Sequence, residues 1–432
     1  TVLQAYQLLE ARGLIQPRPQ SGYYVHLAGA ARTPEPRASN PGSTPRQVNI
    51  TSPVLRMLRE MYSDEIVNFG SADPPEHCLP TDKLNRLCSA IARRTREGHG
   101  WYDAPPGQRE LRAQVARRMT SAGCTLDPET LITTVGCQEA VTLCLRALTR
   151  PGDLVAIESP TFYGHLMALE MLGLRAVEIP TNPATGVDLD ALARVVRKQK
   201  IRTALFVTNG HNPLGYVMPA DHKRRLFELL EKHDVALVED DIYGDICFDA
   251  TRPTLVKSFD TDDRRVLLCS SFSKTLAPGA RVGWCAVPAK WRERVMRHKF
   301  ANTIATPTLA QKMIAAFLAS GAYERHIRSA SRVYAQQQQR FAEMICAVFP
   351  EGTRLSRPAG GFVLWVEMPR SIDSEQLQKR ALEKRISIAP GTIFSPTNRF
   401  RNCIRINCGP VWNDRTRTAI ATLGQLACEL AR

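Results

Sequence analysis

The stretch LLCSSFSKTLAPGARVGW, residues 267–284, decides how the rest of the chain is read. It opens as an apolar run of strand character and stops in Ser270, Ser271 and Ser273, with Lys274 next and Arg281 further on. A strand that merely ended in a loop would need none of this. Hydroxyls beside a guanidinium suit a phosphate, and a lysine desolvated among other cations loses its proton more easily and becomes a nucleophile towards carbonyl compounds.

Outward from it, the apolar segments LITTV, DLVAIE, ALFVT, VALVED and RVLLCSS alternate with amphipathic helical ones such as CQEAVTLCLRAL. That alternation predicts an α/β layer with a largely parallel sheet. After about residue 290 the pattern shifts to long helices and the strands GGFVLWVEM and NCIRIN, which predicts a smaller α+β domain. Ligands of open α/β sheets gather at the carboxyl ends of strands, so the residues following each strand are read together.

After LITTV come Gly136, Cys137 and Gln138, a helix start whose free N–H groups suit an anion. After DLVAIE come Phe162 and Tyr163, either of which suits the face of a planar ring. ALFVT leads to Asn212, with His211 beside it, and VALVE leads to Asp240 and Tyr243. A carboxylate at a buried strand end is costly unless it meets a positive partner, such as a protonated ring nitrogen. Each position has a plain alternative: a common strand-to-helix turn, a core aromatic, a turn asparagine, a solvated loop. Together with Lys274 they describe one ligand, pyridoxal 5'-phosphate.

At this point the chain resembles the class I/II aminotransferases of pyridoxal-phosphate fold type I, over roughly residues 65–430. NPLG, EDDIYGD, SFSKTLAPGARVGW and IRIN occur in the family's order. The resemblance implies that Lys274 carries the cofactor as an imine, Asp240 pairs with the pyridine nitrogen, Asn212 and Tyr243 bind the phenolic oxygen, and Phe162, or its neighbour Tyr163, stacks on the ring. It further implies a phosphate cup of Gly136, Cys137, Gln138, Ser271, Ser273 and Arg281. Tyr102 would reach the phosphate of a neighbouring subunit, which implies a homodimer with shared active sites. Arg405 would clamp a substrate α-carboxylate, and Gly70 would lie in the segment closing over the substrate.

The N-terminal unit adds a finer resemblance. In TVLQAYQLLEARGLIQPRPQSGYYVH, Val2, Tyr6 and Leu9 recur at helical spacing, Gly13 stops the helix, and two short strands follow. The residues allow either the recognition helix and wing of a winged helix-turn-helix or a helical arm with a hairpin. With the aminotransferase-like body, the unit resembles the MocR regulators of the GntR family, which implies DNA binding and a cofactor-dependent sensor of an amino acid or amine. The supporting helices of a winged helix-turn-helix do not precede Thr1, so a remnant is expected here. DNA binding is expected of the full-length protein and expected to be weak or absent for these 432 residues.

The expected organisation is therefore 1–27 for the winged-helix remnant, 28–48 for a Pro-rich linker, 49–290 for the large domain and 291–432 for the small one. A regulator and a working aminotransferase that passes an amino group to a 2-oxo acid both remain open; another reaction of the same fold type is less favoured. Composition bounds these readings without choosing between them. The chain is 44% hydrophobic and 23% charged, globular values, and its net charge of +15 is compatible with anionic ligands or nucleic acid. No apolar run of about 18 residues and no signal-peptide core is present, which leaves a cytoplasmic protein without a membrane span as the expectation. The 12 cysteines form no CxxC pair and several sit in apolar runs, so reduced thiols are expected and a metal site is not.

Overall fold

The computed structural model of the chain describes residues 2–11, 15–18, 22–25, 33–61, 65–94, 102–249 and 251–431. Its centre is a nine-stranded sheet in which Arg175–Asn182, Leu154–Ser159, Ile201–Phe206, Ala236–Asp240 and Val266–Ser271 run parallel, in that order. Gly283–Ala286 and then Leu131–Thr134 continue the sheet, each antiparallel to the strand before it in the sheet. Strands buried on both faces need no polar alternation, which is why these segments read as continuous apolar runs. Val266 to Ser271 are buried without exception.

A second, antiparallel sheet of four strands contains Arg354–Leu355, Val363–Glu367, Cys403–Asn407 and Ala389–Pro390. Helices Ala322–Val348, Ser374–Glu383 and Asp414–Ala431 accompany it. Alternation along Cys403–Asn407 separates Ile404 and Ile406 from Arg405 and Asn407. The two isoleucines join Phe341, Leu364 and Leu423 in this layer's own core, and the arginine goes to the opposite face. Val67–Asn68 pairs with Ile386–Ser387, so the chain just before Gly70 is held to this C-terminal layer.

Helix Val2–Ala11 precedes an antiparallel hairpin of Ile15–Arg18 and Gly22–Val25. The ring of Tyr6 lies 4.7 Å from that of Tyr23, yet Val2, Tyr6 and Leu9 are all exposed. Periodicity made the helix; nothing among the described residues covers this face.

From Thr33 onward the Pro-rich segment is tied to the body. Pro34 and Glu35 accept backbone and guanidinium hydrogen bonds from Leu355 and Arg354, at 3.0 and 3.1 Å, and the Arg37 N–H donates to Glu367 at 2.8 Å. Ser39 then exchanges two hydrogen bonds with the backbone of Thr181, of 3.1 and 2.9 Å, and Arg46–Gln47 pairs with Arg175–Ala176 at the edge of the large sheet. A segment with almost no large apolar residues borrows its order from hydrogen bonds offered by both sheets. No helix among the described residues is long and apolar enough to cross a membrane, and none of their His, Cys, Asp and Glu side chains cluster in a way that could hold a metal.

Candidate functional site

Strand Val266–Ser271 delivers the chain to the crevice at the carboxyl ends of the large sheet. There Ser271 Oγ lies 2.8 Å from Ser273 Oγ, accepts from the Ser273 N–H at 3.1 Å and donates to the Val282 carbonyl at 3.0 Å. Arg281 adopts a left-handed backbone with φ +52°, which turns its guanidinium back to donate to the Val135 carbonyl at 3.0 Å and to Ser273 Oγ at 3.4 Å. The same guanidinium explains Gly136. A Cβ there would stand 2.5 Å from an Arg281 nitrogen, and the residue sits at φ +90°. Gly136 caps helix Cys137–Leu148 with no side-chain bond, so the first N–H groups of that helix remain available to an anion.

Lys274 Nζ donates to the Ala72 carbonyl at 2.7 Å and lies 3.8 Å from Asp73 Oδ1. Burial lowers its pKa below the ordinary lysine value, Asp73 opposes the shift, and Arg405 and Arg281 add to it. The amine is thereby biased toward its neutral, nucleophilic form.

Asp240 closes strand Ala236–Asp240 and is 5% exposed. One of its oxygens is 3.0 Å from His165 Nε2; the other accepts from the Ile242 N–H at 3.0 Å and from the Cys137 thiol at 3.3 Å. Burial and then Asp240 push the Cys137 pKa well up, so the thiol keeps its proton and donates. Phe162 packs edge-on to His165 at 5.6 Å, whereas the Tyr163 ring faces Phe394 at 5.9 Å and lies 6.0 Å from the Arg405 guanidinium. Of the two aromatics, Phe162 is the one on the Asp240 side.

Arg405 is fully buried. It donates to the Gly70 carbonyl and, at 3.3 Å, to Asn212 Oδ1, while its Nε has no partner. No carboxylate lies within ion-pair distance of it among the described residues. Lys274 and Arg405 are thus each held by a carbonyl of one segment, at Ala72 and Gly70, which lies across the crevice.

The fold therefore brings together Gly70, Gly136, Cys137, Phe162, Asn212, Asp240, Tyr243, Ser271, Ser273, Lys274, Arg281 and Arg405. The Gln138 side chain turns out to the Gly164 carbonyl, at 2.7 Å, so its backbone N–H is what it offers the crevice. Tyr102 stands apart, 82% exposed. Two participants were not singled out from sequence: His165, three residues after Phe162 and so on the same side of their shared helical turn, and Asp73, which follows the Gly70 segment.

Among the described residues, the Tyr243 hydroxyl, His165 Nδ1 and Arg405 Nε of this crevice are buried without a hydrogen-bond partner. Orphaned groups of this kind are rare and call for a polar ligand. Hydroxyls, helix N–H groups and a guanidinium at one end, a buried carboxylate beside an aromatic, and a lysine whose pKa burial lowers fit pyridoxal phosphate group by group.

Comparison with known proteins agrees. Residues 64–422 match the family model of aminotransferase class I and II. The chain belongs to this family. Its relatives include the HTH-type transcriptional regulator YjiR of Escherichia coli, 37% identical over 98% of this chain and 90% of its own length. They also include a 2-aminoadipate transaminase of Thermus thermophilus, 27% identical over 87% of this chain and 93% of its own. The kynurenine aminotransferase of Pyrococcus horikoshii, solved with PMP, superposes with a TM-score of 0.82 at 25% identity, covering 88% of this chain and 95% of the other. LysN of Thermus thermophilus, solved with N-(5'-phosphopyridoxyl)-L-leucine, superposes at 0.80 with 26% identity, over 87% and 95%. This family member therefore has the fold type I architecture, and the cofactor of its family is pyridoxal 5'-phosphate. The match to YjiR extends through almost the whole chain, which puts the family member among the MocR-type proteins.

Proposed function

We propose that the chain is a pyridoxal-phosphate-binding MocR-type regulator whose body recognises an amino acid or amine and whose full-length form binds DNA from the cytoplasm. The observation that carries the reading is the pairing, in one crevice, of Lys274 on the Ala72 carbonyl with a buried arginine that no carboxylate among the described residues neutralises. When bound, pyridoxal phosphate supplies an aldehyde and an electron-withdrawing ring. Lys274 would tether it through Nζ, and Asp240, steadied by His165, would hold the ring nitrogen and favour its protonated form. Tyr243 and Asn212 would donate to the phenolic oxygen, with Phe162 against the ring. The helix start at Gly136, Cys137 and Gln138, with Ser271, Ser273 and Arg281, would bind the phosphate.

Arg405 would fix the ligand carboxylate by two parallel hydrogen bonds, a geometry lysine lacks. Lys274, once displaced by the ligand's own amine, has an Nζ suited to take and return the proton at the ligand Cα. The Gly70 and Ala72 carbonyls hold the two groups in place through their hydrogen bonds. Tyr102, exposed within its own chain, would serve the phosphate of a second copy, so the working unit is a homodimer with residues 49–290 and 291–432 as its two domains. Carried to completion on a 2-oxo acid, the same steps are transamination. This second reading is favoured by the completeness of the residue set.

Two measurements test the proposal. Purified protein given pyridoxal phosphate should absorb in the visible and be trapped by borohydride, and Lys274→Ala should abolish the trapped adduct; an adduct that persists overturns the assignment. The full-length protein should retard its own upstream DNA in a salt-sensitive manner. No retardation at low salt, with steady turnover of an amino acid and 2-oxoglutarate, would make the chain an aminotransferase instead.

A further inference from the structure

Tyr102 is a large aromatic presented to solvent on a loop, and the structure indicates what holds that loop. Asp103, its neighbour, accepts from the Gln108 side chain and, at 3.1 Å, from Gln311 Nε2. Gln311 Oε1 in turn accepts from the Gln108 N–H at 3.0 Å, and Nε2 donates again to the Thr306 carbonyl at 2.9 Å. This amide is fully buried, and both its N–H groups are engaged. One side chain clasps two segments that are remote in sequence, 103–108 and 306.

Both sides of the clasp are built for close contact. Gly107 lies at φ +94°, and a Cβ there would come within 1.9 Å of Thr133 Oγ1 and 2.7 Å of Gln311 Oε1. Thr306 Oγ1 accepts from the buried Lys299 Nζ at 3.0 Å and lies 3.2 Å from Thr133 Oγ1. Just before it, Ile304 has φ +59° and ψ −71°, and Ala305 N donates to the Thr303 carbonyl at 2.6 Å. That is a γ-turn of the rare positive-φ kind, on a β-branched residue, and such strain persists only where surroundings over-determine it.

We propose that Gln311 is a positioning residue for Tyr102: it fixes the 102–108 loop so that the tyrosine is already aimed when a second copy of the chain arrives. The inference rests on the reading that Tyr102 donates to the phosphate of a neighbouring copy. A fully satisfied buried polar network is rigid, and a rigid loop loses less freedom on binding than a loose one.

The test is a titration of the purified chain with pyridoxal phosphate, followed by the circular dichroism of the bound cofactor. Tyr102→Phe removes one hydrogen bond and should weaken binding about tenfold. Gln311→Met should weaken it by a similar factor, and the double variant should be no weaker than either single one, because residues acting as a unit are not additive. Gln311→Glu should also be weak, and adding Asp103→Asn should recover part of the loss by reversing donor and acceptor between positions 103 and 311, while the Thr306 carbonyl still lacks its donor. Wild-type affinity in Gln311→Met, losses that multiply in the double variant, or no rescue by Asp103→Asn would overturn the proposal while leaving Tyr102 in its role. A neutral Tyr102→Phe would instead overturn the reading beneath it, and the clasp would fall too.

Discussion

Arg252 and Arg405 are both buried guanidiniums within the same body, and they are treated oppositely. Arg252 is bonded to Asp241 and, at 2.6 Å, to Asp245, and Asp245 is further held by Arg118 at 2.9 Å and by the Tyr323 hydroxyl at 2.6 Å. Burial opposes its charge, and the two carboxylates reverse that, holding its pKa above the ordinary guanidinium value. Arg405 has carbonyl oxygens and the Tyr163 side chain, and no carboxylate among the described residues. Taking a guanidinium out of water is costly, and it cannot discard its proton to escape that cost. Each leaves one buried nitrogen without a partner, so what separates them is the carboxylates: a guanidinium neutralised within the fold belongs to the architecture, and one that is not awaits an anion from outside.

The contrast can be broken by experiment. Arg252→Met leaves the buried Asp241 without its cation, though Arg118 still holds Asp245, and should destabilise the chain by about 3–5 kcal/mol in a denaturant titration. Arg405→Met removes a charge that no carboxylate among the described residues neutralises, so the same titration should show little loss or a gain. Its effect should fall on ligands instead: affinity for amino acids, read from the spectrum of the bound cofactor, should drop about 100-fold while amines without a carboxylate are spared. Destabilisation of both variants alike would erase the distinction.

Glu158 sharpens the comparison from the anionic side. It is fully buried, and its nearest basic group, His211 at 3.8 Å, has a pKa lowered well below the ordinary value by burial and then by His165. Unlike arginine, a carboxyl can shed its charge, and burial raises Glu158 from 4.5 to about 8, against the hydrogen bonds from Val207 N–H and the Tyr216 hydroxyl. The folded state then holds a proton that the unfolded chain has released. Stability contributed by this group is complete below pH 4.5 and falls as pH rises toward about 8, by about 1.4 kcal/mol per pH unit. Between pH 6.5 and 8, where a neutral His211 adds no slope, Glu158→Gln should flatten the pH dependence of the melting temperature. An unchanged slope would mean that Glu158 carries its charge in the folded chain.

How much was legible beforehand follows from the physics of each element. Parallel strands buried on both faces leave continuous apolar runs, so the large sheet could be read from LITTV, DLVAIE, ALFVT, VALVED and RVLLCSS. Because ligands collect at strand ends, Gly136, Asp240 and Lys274 could be gathered before any coordinates. Arg405 also had a sequence signal, since it takes a polar position in the alternating strand Cys403–Asn407. His165 had little: a histidine one helical turn beyond an aromatic looks like any other, and only the packing of helix Tyr163–Met171 brings it to Asp240. The choice between Phe162 and Tyr163 needed ring positions. The order of residues 33–47 was not legible at all, because it comes from donors and acceptors on Thr181, Arg354 and Glu367, far away in sequence.

That last segment has a mechanical consequence. Between Arg37, fastened to Glu367 of the four-stranded sheet, and Ser39, fastened to Thr181 of the nine-stranded one, a single residue intervenes. So short a bridge has almost no slack. If the two sheets pivot against each other, either those fastenings let go or residues 37–39 are pulled along with them, as a bell-crank turns motion at one arm into motion at the other.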